Sequence, residues 1–148
     1  MKEKVEKFLR EEGVILPKNF VFEVYSQILK VAGPLAGLIR RGSVEAGRSA
    51  ARAFKENSNL EGLDIQKLAD LIGVFFNATG FGEIESSVEG ESIKVFVKDS
   101  FLLKAHSDES KALSPLIGAL EGFVSECYGK PVKVEVKGRE IKITSYEA

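Results

Sequence analysis

The chain has 148 residues, enough for one domain with a sizeable core and too few for two comfortable ones. Lys and Arg number 21 against 22 Asp and Glu, a net charge of −1, which gives no electrostatic reason to expect nucleic acid or an anionic membrane surface as partner. The single cysteine, Cys127, excludes an intramolecular disulfide and a cysteine-cluster metal site within one chain, and makes a reducing, cytoplasmic compartment the natural expectation.

No apolar run approaches the roughly 18–20 residues of a membrane span. The opening MKEKVEKFLREEG alternates charge and lacks an apolar core, so it is not expected to act as a secretory signal. Within it, Val5, Phe8 and Leu9 fall on one stripe of an amphipathic helix over Lys2–Glu12, with Gly13 at the C′ position. Val14–Pro17 reads as a connector. Asn19 is placed to cap a second helix carrying Phe22, Tyr25, Ile28 and Leu29, and Gly33-Pro34 forms its stop signal.

The next helical region, Leu35 to about Phe54, is rich in small residues at helical spacing: Gly33 with Gly37, Ala46 with Ala50, Gly47 with Ala51. Positions four apart share a helix face, and Gly or Ala there lets another backbone or a flat ligand approach closely. Each glycine costs roughly 1 kcal/mol against alanine in a helix interior, so the run is expected to gain in packing. Two readings fit, a tightly packed helix pair or the wall of a small-molecule cavity. Gly42 is expected to break the region, with Ser43 capping the second part. Lys55–Gly62 reads as a polar loop, after which Asp64 caps a helix with a broad apolar face from Ile65 to Phe76.

From Glu83 the period changes to two. Ile84, Ser86 and Val88, then Glu89-Gly90, then Ile93, Val95 and Val97 form a hairpin pattern. His106–Ser110 is loop-like. Leu113–Tyr128 returns to helical spacing, with Gly118 and Gly122 four apart and Gly129-Lys130-Pro131 as its end. A second hairpin follows, with Val132, Val134 and Val136 on one side of Lys137-Gly138 and Ile141 and Ile143 on the other. Two hairpins joined into a four-stranded antiparallel sheet, its apolar face covered by a helical layer, give an α+β fold in a single domain over 1–148.

Groups able to carry chemistry are few. His106, the sole histidine, lies among Lys104, Ser107 and Asp108, surroundings of a solvated side chain rather than of a general base or a haem ligand. Cys127 follows an apolar helix face and reads as a small buried hydrophobe rather than a nucleophile. Glu83/Glu85 and Glu89/Glu91 flank a hairpin, where such pairs solvate one face. No phosphate-loop signature is present, and Arg40-Arg41 and Arg48 lack the interleaved aromatics of single-strand nucleic-acid binding. Ten phenylalanines supply either a well-filled core or the lining of a flat apolar site.

Three segments, VEAGRSAARAF (Val44–Phe54), KVFVKDSF (Lys94–Phe101) and SPLIGALEGFVSECYGKPVKVEV (Ser114–Val136), resemble the 4-vinyl reductase domain family, which is related to small subunits of the transport-protein-particle vesicle tether and, more distantly, to haem nitric-oxide sensors. Gly47-Arg48 looks like the family's Gly-Arg pair on its central helix, with Ala51 where a second glycine is common. Gly118 and Gly122 look like the glycine pair of the last helix, with Leu116 near the place where many members have cysteine. Asp99-Ser100-Phe101 looks like the segment closing the first hairpin. The resemblance spans roughly Asn19 to Tyr146. It implies an α+β homodimer with an apolar cavity between helices and sheet, used to bind small hydrophobic molecules, in pigment chemistry or to hold an acyl chain. The last hairpin here, KVEVKGREIKITS, lacks the cysteines of metal-binding members, so no zinc site is expected, and with no cofactor or donor motif visible no reductase activity is expected either.

The leading expectation is a non-catalytic dimer enclosing a small apolar ligand, with no cofactor or metal. The central helix (Val44, Gly47, Arg48, Ala51, Phe54), Phe75, and Leu116, Leu120 and Phe123 would line the site, Arg48 facing a polar head group or pairing with a neighbour. The rival is an assembly scaffold filled solid, in which the glycines serve helix contacts only. An enzyme acting on an apolar substrate through Cys127 or His106 ranks last.

Overall fold

The computed structural model describes residues 1–31, 36–58, 60 and 62–146. Helix α1 (Lys2–Glu12) buries Val5 and Phe8, as its stripe predicts. Gly13 ends it in an extended conformation (φ −91°, ψ 166°), its N–H donating to the Leu9 carbonyl at 3.0 Å. Helix α2 (Lys18–Val31) begins before Asn19, so the expected cap is displaced. The Pro17 carbonyl accepts from Phe20 and Val21, and Asn19 lies within the first turn. Tyr25 and Ser26 face inward, and the Tyr25 hydroxyl donates to the Lys111 carbonyl at 2.7 Å. Ile28, another of the apolar residues this helix carries, is exposed. The Gly33-Pro34 stop and the Gly33 end of the Gly33/Gly37 pair lie outside the described residues.

Helix α3 (Ala36–Ser58) is a single unbroken rod, longer at its C-terminus than expected. Gly42 does not interrupt it, because a helix tolerates one glycine at a cost of about 1 kcal/mol when the turns on both sides propagate. Ser43 does not cap. Its hydroxyl donates back one turn to the Ile39 carbonyl at 2.8 Å. Helix α4 (Ile65–Ala78) starts as predicted, with the Asp64 carboxylate accepting from the Lys67 N–H at 2.8 Å.

Strands β1 (Glu83–Glu89) and β2 (Ser92–Asp99) form the first hairpin, β3 (Val132–Lys137) and β4 (Glu140–Ser145) the second. They join as one antiparallel sheet of order β1-β2-β4-β3, the expected four-stranded arrangement. The register sets Val88 beside Ile93, Ile93 beside Ile143, and Ile143 beside Val134, so one face is a continuous β-branched surface. The second turn places Gly138 at φ 61°, open to glycine without strain. Between the hairpins a 3₁₀ turn (Phe101–Ala105) comes first, and the stretch His106–Ser110, expected to be loop, ends in the start of short α5 (Glu109–Ala112), capped by Asp108. Helix α6 (Ser114–Tyr128) follows and ends at Gly129 in the left-handed region, φ 68°.

The molecule is layered. Helices α4 and α6 cover the apolar sheet face, α3 packs along α6, and α1 lies against α3 and α4. Helix α6 is therefore enclosed from both sides, which is why Leu116, Ile117, Leu120, Phe123 and Val124 are all buried. Two side chains tie β1 in place. Asn77 on α4 accepts from the Ile84 N–H at 2.8 Å and donates to its carbonyl at 3.0 Å, acting as a strand partner. The Ser100 hydroxyl donates to the Phe81 carbonyl at 2.6 Å and caps the 3₁₀ turn.

Candidate functional site: a groove beside helix α3

Helix α3 carries small residues on two adjacent faces, and the two faces do different work. On the first, Gly47 touches the backbone of Ala119 on α6, while Gly118 and Gly122 of α6 touch the backbone around Arg40 and Val44. A Cβ at Gly118 would stand 2.6 Å from the Arg40 carbonyl oxygen, and at Gly47 or Gly122 closer still to the backbone opposite. These three glycines are thus occupied by helix-on-helix contact, the packed-pair arrangement.

The second face lies one position earlier. Ser43, Ala46, Ala50 and Ala53 line a groove of about 560 Å³, within the range of small-molecule sites, commonly 300–1,000 Å³. Phe75, Phe76, Leu116 and Phe123 form a buried floor, whereas Ala46 and Ser49 stand exposed at the rim. Phe8, Leu9, Glu12 and Gly13 of α1 form the opposite wall. Lys4 Nζ reaches the Ser58 carbonyl at the far end of α3, so α1 runs back along α3 with the groove between them.

The phenylalanines support the groove rather than plug it. Phe54 meets Phe8 edge-on at 5.4 Å and Phe75 at 5.7 Å, and Phe75 lies 4.8 Å from Phe123. Such contacts add roughly 0.5–1.5 kcal/mol each beyond area burial and hold the floor in one arrangement.

Of the expected lining residues, Gly47, Phe75, Leu116 and Phe123 border the groove. Val44, Arg48, Ala51, Phe54 and Leu120 do not. Val44 presents its backbone to Gly122, while Ala51, Phe54 and Leu120 are fully buried in the core. Arg48 pairs loosely with Glu45 at 3.8 Å on its own helix, the plainer of the two roles expected for it. Around α3 the groove is faced by Ser43, Ala46, Ala50 and Ala53 together with Gly47, about 100° from the side of Val44, Ala51 and Phe54. The contribution of α1 was missed, because nothing in a charged amphipathic helix states which neighbour it covers.

Other reactive groups are not gathered here. Burial pushes the Cys127 thiol from an ordinary 9.0 up to about 11, with nearby Lys55 opposing and Glu126 reinforcing the shift. His106 is exposed, its Nδ1 accepting from the Asp108 N–H at 2.9 Å. On the open sheet face Glu85 pairs with Lys98 at 2.7 Å and Glu89 with Lys94 at 3.5 Å, solvated ion pairs of the kind expected there. Among the described residues no group of three or more His, Cys, Asp and Glu is positioned to hold a metal ion, and no helix is long and apolar enough to cross a membrane.

No protein-family model matches the chain. Nor does any curated protein match it.

Proposed function

We propose that this chain is a non-catalytic module that binds a small apolar molecule in the α1–α3–α4–α6 groove and acts as a homodimer, a role in keeping with its resemblance to the 4-vinyl reductase domain family. The observation that carries the reading is an apolar groove with a rigid aromatic floor and a wall of alanines. Burying an eight-carbon chain contributes on the order of 6 kcal/mol before ordering costs, enough for a useful affinity. A cytoplasmic setting fits the single, half-buried thiol.

The dimer half of the proposal draws on α2. Phe20, Val24, Ile28 and Val31 recur at helical spacing on its outer side and are all exposed, Val31 to 85 %. Val14, Ile15 and Leu16 precede them, also exposed. An apolar stripe of this length is unusual on a monomer's surface and suits a partner helix.

One observation favours the scaffold alternative. Gly118 and Gly122 are fully used in the α3–α6 contact and leave no space of their own for a ligand. Native mass spectrometry of freshly purified protein separates the two readings. A co-purified mass of a few hundred daltons supports the binding module; a ligand-free dimer supports the scaffold.

A further inference from the structure

From the charges around the groove we infer that its ligand carries a basic or neutral polar end rather than a carboxylate or other anion. The inference rests on the binding reading above and adds the chemical class of the ligand. Among the described residues that line the groove, Glu12 is the one ionisable side chain, and none is Lys, Arg or His. Arg48, the cation that sequence places nearest, does not border it, standing 3.8 Å from Glu45 on its own helix.

The backbone contributes the same sign. Gly13 follows the last residue of α1 and Thr79 is the C-cap of α4, so two helix C-termini open onto the groove. A helix C-terminus carries the equivalent of roughly half a negative charge, even where, as at Phe75 and Phe76, the cap satisfies some of its carbonyls. The opposing contribution is the start of α6, where Pro115 has no N–H to offer an anion, which leaves the Leu116 N–H as the donor of that turn beside the groove. The hydroxyls of Ser43 and Thr79 are already donated, to the carbonyls of Ile39 and Phe76 at 2.8 and 2.7 Å, leaving oxygens that accept, while Ser49, the third lining hydroxyl, stands exposed at the rim. Carboxylate, helix ends and hydroxyls together form an acceptor rim around an apolar floor. Such a rim suits an alkyl or aryl amine, or an alcohol or phenol that donates its hydrogen.

A matched ten-carbon series tests this. Decylamine, decanol and decanoate would each displace the neutral dye Nile red from the wild-type protein and from Glu12→Gln and Glu12→Lys at neutral pH. The expected order of affinity is amine, alcohol, carboxylate, with decanoate weaker than decylamine by at least about tenfold. Glu12→Gln should shrink that gap severalfold and Glu12→Lys reverse it. Glu12 is exposed, so both variants should fold, which circular dichroism checks. Decanoate binding as well as decylamine, or a gap unmoved by Glu12→Gln, overturns this inference while saturable dye binding leaves the apolar groove standing. Failure of all three compounds to displace the dye, or of the dye to bind, overturns both.

Discussion

A methyl group added to Gly122 would overlap the Val44 carbonyl of the neighbouring helix, and backbone cannot swing aside as a long side chain can. Gly122→Ala should therefore force α3 and α6 apart and destabilise the fold by about 1–3 kcal/mol or more, read from urea unfolding. Cys127 makes a different prediction. Its burial holds a proton on the folded thiol that the unfolded chain releases between pH 9.0 and about 11. Stability from this site is thus fully present below pH 9.0 and is lost as pH rises through about 11; Tyr25, shifted from 10.0 to about 12 by burial, extends the loss upward. At pH 8 the folded thiol should react with a disulfide reagent about a hundredfold more slowly than in the urea-unfolded chain, because its thiolate fraction is lower by that factor. A comparable rate in both states would contradict the burial that raises it.

At the scale of elements, the hairpins and α4 were legible because their signals are local and agree. Period-two alternation, a Gly turn and an Asp64 cap each act within a few residues. Helix α3 was misread where a local signal yields to cooperativity. Gly42 resembles a break and Ser43 a cap, yet the helix runs through both, Ser43 bonding backward to Ile39. Gly42 has nothing within 4 Å of a Cβ, so Gly42→Ala should stabilise the protein by roughly 0.5–1 kcal/mol, opposite in sign to Gly122→Ala on the partner helix. Loss of stability on thermal melting would mean that the helix needs its flexibility there. The groove was half legible for a related reason. The alternation of small residues along α3 announces two close approaches, but which stripe meets α6 and which faces open space depends on the helix's rotation. No single helix's sequence carries that rotation; it is settled by Gly118 and Gly122, about 75 positions away.

At the scale of the molecule, the exposed stripe on α2 and the groove beside α3 are separate surfaces with separate tests. Ile28→Glu places a charge in the middle of the stripe without touching the core, since Ile28 is exposed. Light scattering should then report the mass of one chain where the wild type gives two; a wild type already monomeric would remove the dimer from the account. The groove is tested most directly by filling it. Ala50 lines the groove from α3, and phenylalanine there would occupy the space a ligand needs while leaving the helix intact. Titration with Nile red should give saturable, one-site binding to the wild-type protein and a loss of at least about tenfold in affinity for Ala50→Phe at unchanged helicity. Equal binding by both proteins, or none by the wild type, would contradict the claim that this groove is where the molecule does its work.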